Sequence, residues 1–320
     1  MKIIIYLLSF PLCASAPQAL AQSYPTKPVR VILGFSAGGA GDVSARLLAQ
    51  KMSATLGQPV IVENRVGAGG VIASELVAKS PPDGHTLLYA AGAFAAQPAL
   101  RSKLPFDTEK DFAPVALVVI TAFAISVHPS VPVRDVKALI ALARSRPGVL
   151  TFSSPGVGSS AHLAGELFNM MAGVKMRHIP YKGAPEAATA AASGEIDVGF
   201  PSVTAALPLL DTGRLRALSV TSAKRSSLLP GVPTLDESGL RGYDRGGWNG
   251  MFAPAGTPKE IVTQLNELIN KIAGTPEMVE ALKKLGFDTR TGSPDMLAKF
   301  VHNEMVQNAK LLNFAGLKPN

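Results

Sequence analysis

The sequence predicts an α/β protein of two lobes, each a mostly parallel sheet flanked by helices, joined by two crossover strands. Three observations predict it. Short apolar strands alternate with helices across residues 29–200, the pattern of parallel sheets covered on both faces. The order strand, glycine-rich loop, helix, strand, loop, helix, strand occurs twice, as a repeat of architecture and not of sequence. Two apolar stretches, 114–127 and 246–253, are placed to leave one lobe and return to it.

The chain opens with a segment to set aside. Residues 1–21 read as a secretory signal, with Lys2 as its charge, an apolar run over 3–10 and Ala19-Leu20-Ala21 as a small-residue cleavage site. That run is too short for a membrane span. The expectation is an exported, periplasmic protein of about 300 residues, enough for two lobes. Cys13 is the only cysteine and leaves with the signal, so no disulfide, thiol nucleophile or cysteine metal site is expected.

In the first half, 29–33 is a buried strand and 34–41 (GFSAGGAG) a loop. Asp42 is expected as N-cap of a helix over 43–56 that Gly57 stops. A strand at 60–62 leads to a second glycine loop, 63–70, and a helix to about Lys79; 86–90 is the third strand. In the second half, 150–152 is a strand, 153–158 a loop of small and hydroxyl residues, and 159–171 a helix ended by Gly173. Strand 176–179, helix 184–193 and strand 196–200 follow, and helices near 258–273, 275–285 and 294–312 close the chain. If both apolar stretches cross, lobe 1 holds 22–123 and 247–320, lobe 2 holds 124–246, and a hinged cleft lies between them.

Chemistry is sparse. The sequence has no GxSxG elbow, Walker loop, HExxH or EF-hand pattern. Its five histidines show no metal-ligand spacing, so no metal, no cofactor and no enzymatic activity are expected. Lys and Arg exceed Asp and Glu by 31 to 23, but the excess is scattered and aromatics make up only 6 %, which argues against a nucleic-acid partner. The expected partner is a small anion, because glycine loops that open helices aim backbone N–H groups outward. Tyr181 and Lys182, directly after a strand, add a phenol donor and a cation. His162, in the first turn of its helix, is read as a packed imidazole more than a ligand contact, and Asp197 as a group that holds a loop. One rival is an NAD-dependent oxidoreductase: residues 156–161 match GxGxxA after a strand, although the next strand ends in Pro180-Tyr181-Lys182 without the acidic residue that a ribose needs.

Seven motifs occur in order: FSAGGAGDVSARLLA, VENRVGAGGVIAS, LPFD, FSSPGVGSSAHLAGELF, HIPYKGAPEAATAAASGEIDVGF, VPTLDESG and FAPAGTP. With them the chain resembles the Bug-type substrate-binding proteins of tripartite tricarboxylate transporters over essentially all of its mature length. The resemblance implies a type II periplasmic-binding-protein fold and a monomer. It implies a small carboxylate held by backbone groups, hydroxyls and water, and integral-membrane transporter subunits as partners. Carried over by motif, the cleft would be lined by Phe35, Gly38, Gly39, Ala40, Gly41 and Asp42, and by Ala68, Gly69 and Gly70. From the second lobe it would take Ser153, Ser154, Gly156, Gly158, Ser159, His162, Tyr181, Lys182 and Gly183. The family often has Pro where Ala37 stands and Ser or Thr where Gly41 stands, so the preferred ligand is expected to differ. Whether the ligand triggers uptake or signalling is left open by the residues.

Overall fold

In a computed structural model, the structure describes residues 24–319; the expected signal segment, with Cys13, lies outside the described residues. The parallel part of the first sheet is β1 (Val29–Leu33), β2 (Val60–Asn64) and β3 (Thr86–Ala91), with β1 in the middle. β10 (Gly247–Pro254) lies antiparallel between β3 and β4 (Phe112–Thr121), and β11 (Asp288–Thr289) closes the edge. The order across this sheet is β11-β4-β10-β3-β1-β2. In the second sheet, β6 (Thr151–Ser154) is the central parallel strand between β7 (Arg177–Pro180) and β8 (Val198–Gly199). β5 (Ala124–Val127) runs antiparallel between β8 and β9 (Arg216–Val220), which gives the order β7-β6-β8-β5-β9. Both sheets are therefore mixed, with one antiparallel strand inserted at the same place in each.

The helices follow from local chemistry. α1 (Ala40–Leu56) stops at Gly57, which sits in the left-handed region at φ 66°, and α5 (Ser160–Ala172) stops the same way at Gly173, φ 60°. α2 is Val71–Ala78, α4 Val136–Ser145, α6 Ala184–Ala192, α8 Lys259–Ala273, α9 Pro276–Lys284 and α10 Pro294–Phe314. α3 (Ala93–Leu100) and α7 (Val203–Asp211) go beyond the sequence expectation, since each carries a proline, Pro98 and Pro208, in an apolar run that reads equally well as strand. One start differs from expectation: α1 begins at Ala40 with Gly39 as N-cap, so Asp42 lies inside the first turn. Its carboxylate reaches back to the N–H of Gly38 at 3.0 Å, as an acidic residue in a first turn is able to do.

Three large apolar clusters fill the molecule. Leu33, Leu48, Tyr89, Val118, Leu265 and Ile269 pack one face of the first sheet against α1 and α8. Phe94, Phe106, Phe112, Trp248 and Phe252 pack the other face, under α2, α3 and α10. Phe152, Leu139, Phe168 and Tyr243 form the core of the second sheet. A smaller cluster of Ala96, Leu163, Leu311 and Leu312 joins α3, α5 and α10, so the long C-terminal helix touches elements of both sheets.

The chain passes from one sheet to the other at Ala122-Phe123, between β4 and β5, in line with the apolar run 114–127. It returns just before β10. Thr221 ties the two passages together: it donates to Phe123 O and accepts from Arg245 N–H through its backbone, and its hydroxyl accepts from Phe123 N–H. The passages cross so closely that a Cβ on Gly246 would stand 2.3 Å from Thr121 O.

Candidate ligand-binding site

In each sheet the chain leaves the central parallel strand to one side and comes back on the other. The crevice beyond the carboxyl ends of the strands at such a reversal is where open α/β sheets bind ligands. In the first sheet this point is beyond β1 and β3, and in the second beyond β6 and β8.

At the first point, the loop after β1 and the turn before α2 are locked to one another. A Cβ on Gly34 would lie 2.6 Å from Gly70 Cα, so two backbones touch where no side chain fits. Asn64 donates to Phe35 O and to Asp42 Oδ1, both at 2.9 Å. Arg46 forms two hydrogen bonds to the same carboxylate, at 2.9 and 3.1 Å. Burial by itself would raise the pKa of Asp42. The hydrogen bonds from Arg46, Gly38 and Asn64 outweigh it and hold the carboxyl below its usual range. Asp42 is thus the post on which the Phe35–Gly41 loop hangs, and Gly38, Gly39 and Ala40 stay exposed at its tip. Ala68 has φ 49°, the only positive φ outside glycine among the described residues, and it marks the turn 68–70 as strained. α3 holds that turn: Gln97 Nε2 donates to Gly69 O at 2.9 Å and Arg101 donates to Ala68 O at 3.1 Å.

At the second point, Ser159 caps α5 by accepting from His162 N–H, and its hydroxyl donates to Gly156 O at 2.7 Å. Ser154 Oγ bonds His178 Nε2 at 2.7 Å and donates to Gly156 O, which fixes the turn from below. His162 is wholly buried. Its Nδ1 accepts from Gly158 N–H at 3.1 Å, which leaves its ring proton on Nε2, 3.6 Å from Glu166 Oε1. It positions the turn and packs against His178, ring centroids 3.9 Å apart and tilted by 31°, in keeping with a packed imidazole. The N–H groups of Ser160 and Ala161 at the start of α5, like those of Ala40 and Gly41 in α1, have no internal acceptor.

Helix α3 stands between the two points. Gln97 on it grips Gly69, and three residues on, Leu100 abuts the second turn, where a Cβ on Gly158 would lie 2.4 Å from Leu100 Cδ1. Next to it, a Cβ on Gly92 would lie 2.1 Å from Ser160 Oγ. The second glycine of the GxGxxA match thus faces a leucine, where a dinucleotide site needs an open approach to a pyrophosphate. Asp197 does hold a strand, accepting from Thr151 N–H and Oγ at 2.8 and 2.9 Å.

Not every expected residue joins these two groups. Ser153 is buried and donates to Ala187 O, because neighbouring residues of a strand face opposite sides and Ser154 takes the loop side. The Tyr181 hydroxyl is bonded to Glu195 at 2.8 Å, and burial followed by that bond raises its pKa to about 12. The backbone carbonyl of Tyr181, in contrast, lies beside Gly156. Lys182 is exposed and unpaired, in a groove bounded by residues of the 180–195 segment, with Gly183 as N-cap of α6. Residues absent from the expectation are Ala91, Gly92, Ala93 and Gln97; the small-residue run 90–93 (AAGA), where β3 ends and α3 begins, is the signal that sequence reasoning passed over. Arg245 is another. It is buried and pairs with Glu304 on α10 at 2.8 Å. Among the described residues no three His, Cys, Asp or Glu stand close enough to hold a metal, and no helix is long and apolar enough to cross a membrane.

Two mixed sheets linked by paired passages, each with a glycine loop and an open helix start at its reversal point, define the two-lobed periplasmic-binding-protein class. Comparison with known proteins narrows it. Residues 44–317 match the family described as "Tripartite tricarboxylate transporter family receptor", and the chain belongs to that family. A relative from Pseudomonas sp. (strain P51), the "UPF0065 protein in tcbD-tcbE intergenic region", is 40 % identical over 291 residues, 91 % of this chain and 87 % of the relative. Among solved structures, "R. palustris Rpa4515 with adipate" aligns with a TM-score of 0.83 and 35 % identity, covering 93 % of this chain and all of that one. The "periplasmic binding protein BugD" aligns at 0.79 and 33 %, with 93 % and 100 % covered.

Proposed function

We propose that this chain is a periplasmic receptor, made with a cleavable signal, that takes a small carboxylate between its lobes and delivers it to integral-membrane transporter subunits. The lobes are 22–123 with 247–320, and 124–246. The observation that carries the reading is the pair of unpartnered helix starts, α1 and α5. Each follows a glycine loop at the reversal point of its own sheet. A helix start stabilises an anion by roughly 0.3–1 kcal/mol at an exposed site and more when water is excluded. Closure about Ala122-Phe123 and Arg245-Gly246 supplies that exclusion, and the ligand favours the closed form because only there does it meet groups of both lobes. The R. palustris relative, solved with adipate, is in keeping with such a ligand.

The test is a thermal-shift panel of mono-, di- and tricarboxylates alongside neutral amides. A carboxylate at about a hundred times its Kd should add about 2.7 kcal/mol to the unfolding free energy. The reading fails if no carboxylate raises the melting temperature while a neutral compound does.

A further inference from the structure

The first lobe carries a hollow of about 190 Å³ at its reversal point, beyond β1 and β3 and beneath the turn 68–70. Its walls include Phe35, Leu88, Ala91, Ala93 and Phe94. No charged side chain lines it, and each polar side chain that does already has a partner. Ser74 donates to Gly70 O, the Tyr89 hydroxyl bonds Ser44 Oγ, and Gln97 bonds Gly69 at one end and Arg101 at the other. The walls are also stiff. Phe94 lies within 5.1 Å, centroid to centroid, of both Phe112 and Phe252, and the Phe35 ring is seated against Gly41, where a Cβ would come within 3.0 Å of it. Such a hollow compensates a second or third carboxylate poorly, because a charge buried there would find no counter-charge. It is roomier than the roughly 150 Å³ of an apolar cavity that takes benzene.

The hollow also adjoins the anion end. Ala91 and Ala93 line it, and Gly92 between them abuts Ser160, whose N–H is one of the unpartnered donors at the start of α5.

We infer that the ligand is a carboxylate with one compact apolar body, the size of a single ring or a short alkyl chain. Its charged group sits at the α5 start and its body fills the hollow behind Phe35 and Phe94. This rests on the receptor reading above and adds the class of ligand to it. Citrate, with charge at every end, is excluded by the same walls.

The test is isothermal titration of the exported protein with acetate, benzoate and citrate. Benzoate is expected to bind at least about a hundredfold more tightly than acetate, from burial of its ring, and more tightly than citrate. Ala93→Gln, which fills the hollow, is expected to bring the benzoate-to-acetate ratio down at least about tenfold, its fold checked by its melting temperature. Citrate binding as tightly as benzoate, equal affinity for acetate and benzoate, or an unchanged ratio in the variant would each overturn the inference while leaving a carboxylate receptor standing. No binding of any carboxylate would remove the receptor reading and this inference with it. The wild-type series decides the matter even if the variant does not fold.

Discussion

Arg245 is where the return passage is strapped to the C-terminal helix, and its removal should be felt throughout the protein. Its side chain is 2 % exposed and donates to Glu304 Oε1 at 2.8 Å, to Gln307 Oε1 at 3.2 Å and to Asn308 Oδ1. Glu304 also accepts from Trp248 Nε1 at 3.2 Å, so the strap runs from the passage through α10 and back to β10. Arg245→Met keeps much of the volume but leaves a largely buried carboxylate without its cation. Breaking such a pair costs about 3–5 kcal/mol. With an unfolding entropy near 2.1 cal/mol/K per residue, a chain of this length should melt about 5–8 °C lower. Calorimetry and urea titration of the ligand-free protein measure both quantities. The double variant Arg245→Met/Glu304→Met, which removes both charges, should be more stable than the sum of the single losses allows, by about 2 kcal/mol. A single loss below about 1 kcal/mol, or simple additivity in the double variant, would refute the argument that the ion pair is buried and coupled.

Other expectations follow from the same geometry. Gly34→Ala sets a methyl 2.6 Å from Gly70 Cα, and since backbone cannot change rotamer, it should cost about 1–3 kcal/mol and weaken ligand binding; wild-type stability would contradict the backbone contact. His178, pushed down to about 3 by burial and then by the neighbouring His162, stays neutral in the fold where the unfolded chain takes up a proton. Unfolding free energy should therefore fall as pH is lowered from about 6.5 towards 3, by up to about 1.4 kcal/mol per unit. His178→Gln should flatten that slope, and an unaltered slope would show that His178 does not set it. Lys182, exposed and unpaired next to Tyr181, should attract anions through the field alone: Lys182→Ala should weaken carboxylate binding about two- to fivefold at low salt, with the difference vanishing at about 1 M. A salt-independent effect, or none, would be inconsistent with that role.

Much of the frame is legible in the sequence because its signals are local. Gly57 and Gly173 end helices through a left-handed residue that glycine tolerates best, and the apolar runs of β1 and β3 announce buried strands. The start of α1 is ambiguous in sequence because an aspartate serves a loop N–H from inside the first turn as readily as it caps from outside. The silence over α3 matters more. Its Ala-rich run with Pro98 gives no period, yet this helix brings the two glycine turns to one place. Pairings such as Tyr181 with Glu195 and Arg245 with Glu304 join residues 14 and 59 positions apart, and no spacing rule reaches that far. For the site, the loops are readable from glycine and hydroxyl content, while the direction of each side chain is not. Ser154 faces the turn and Ser153 faces α6, a difference set by strand register.

The most direct test is a crystal structure with benzoate bound. The carboxylate should lie at the start of α5 within hydrogen-bond reach of Ser160 or Ala161 N–H, the ring against Phe35 and Phe94, with residues of both lobes in contact. Benzoate touching one lobe alone, or lying in the groove beside Lys182 with the space behind Phe35 empty, would contradict the account.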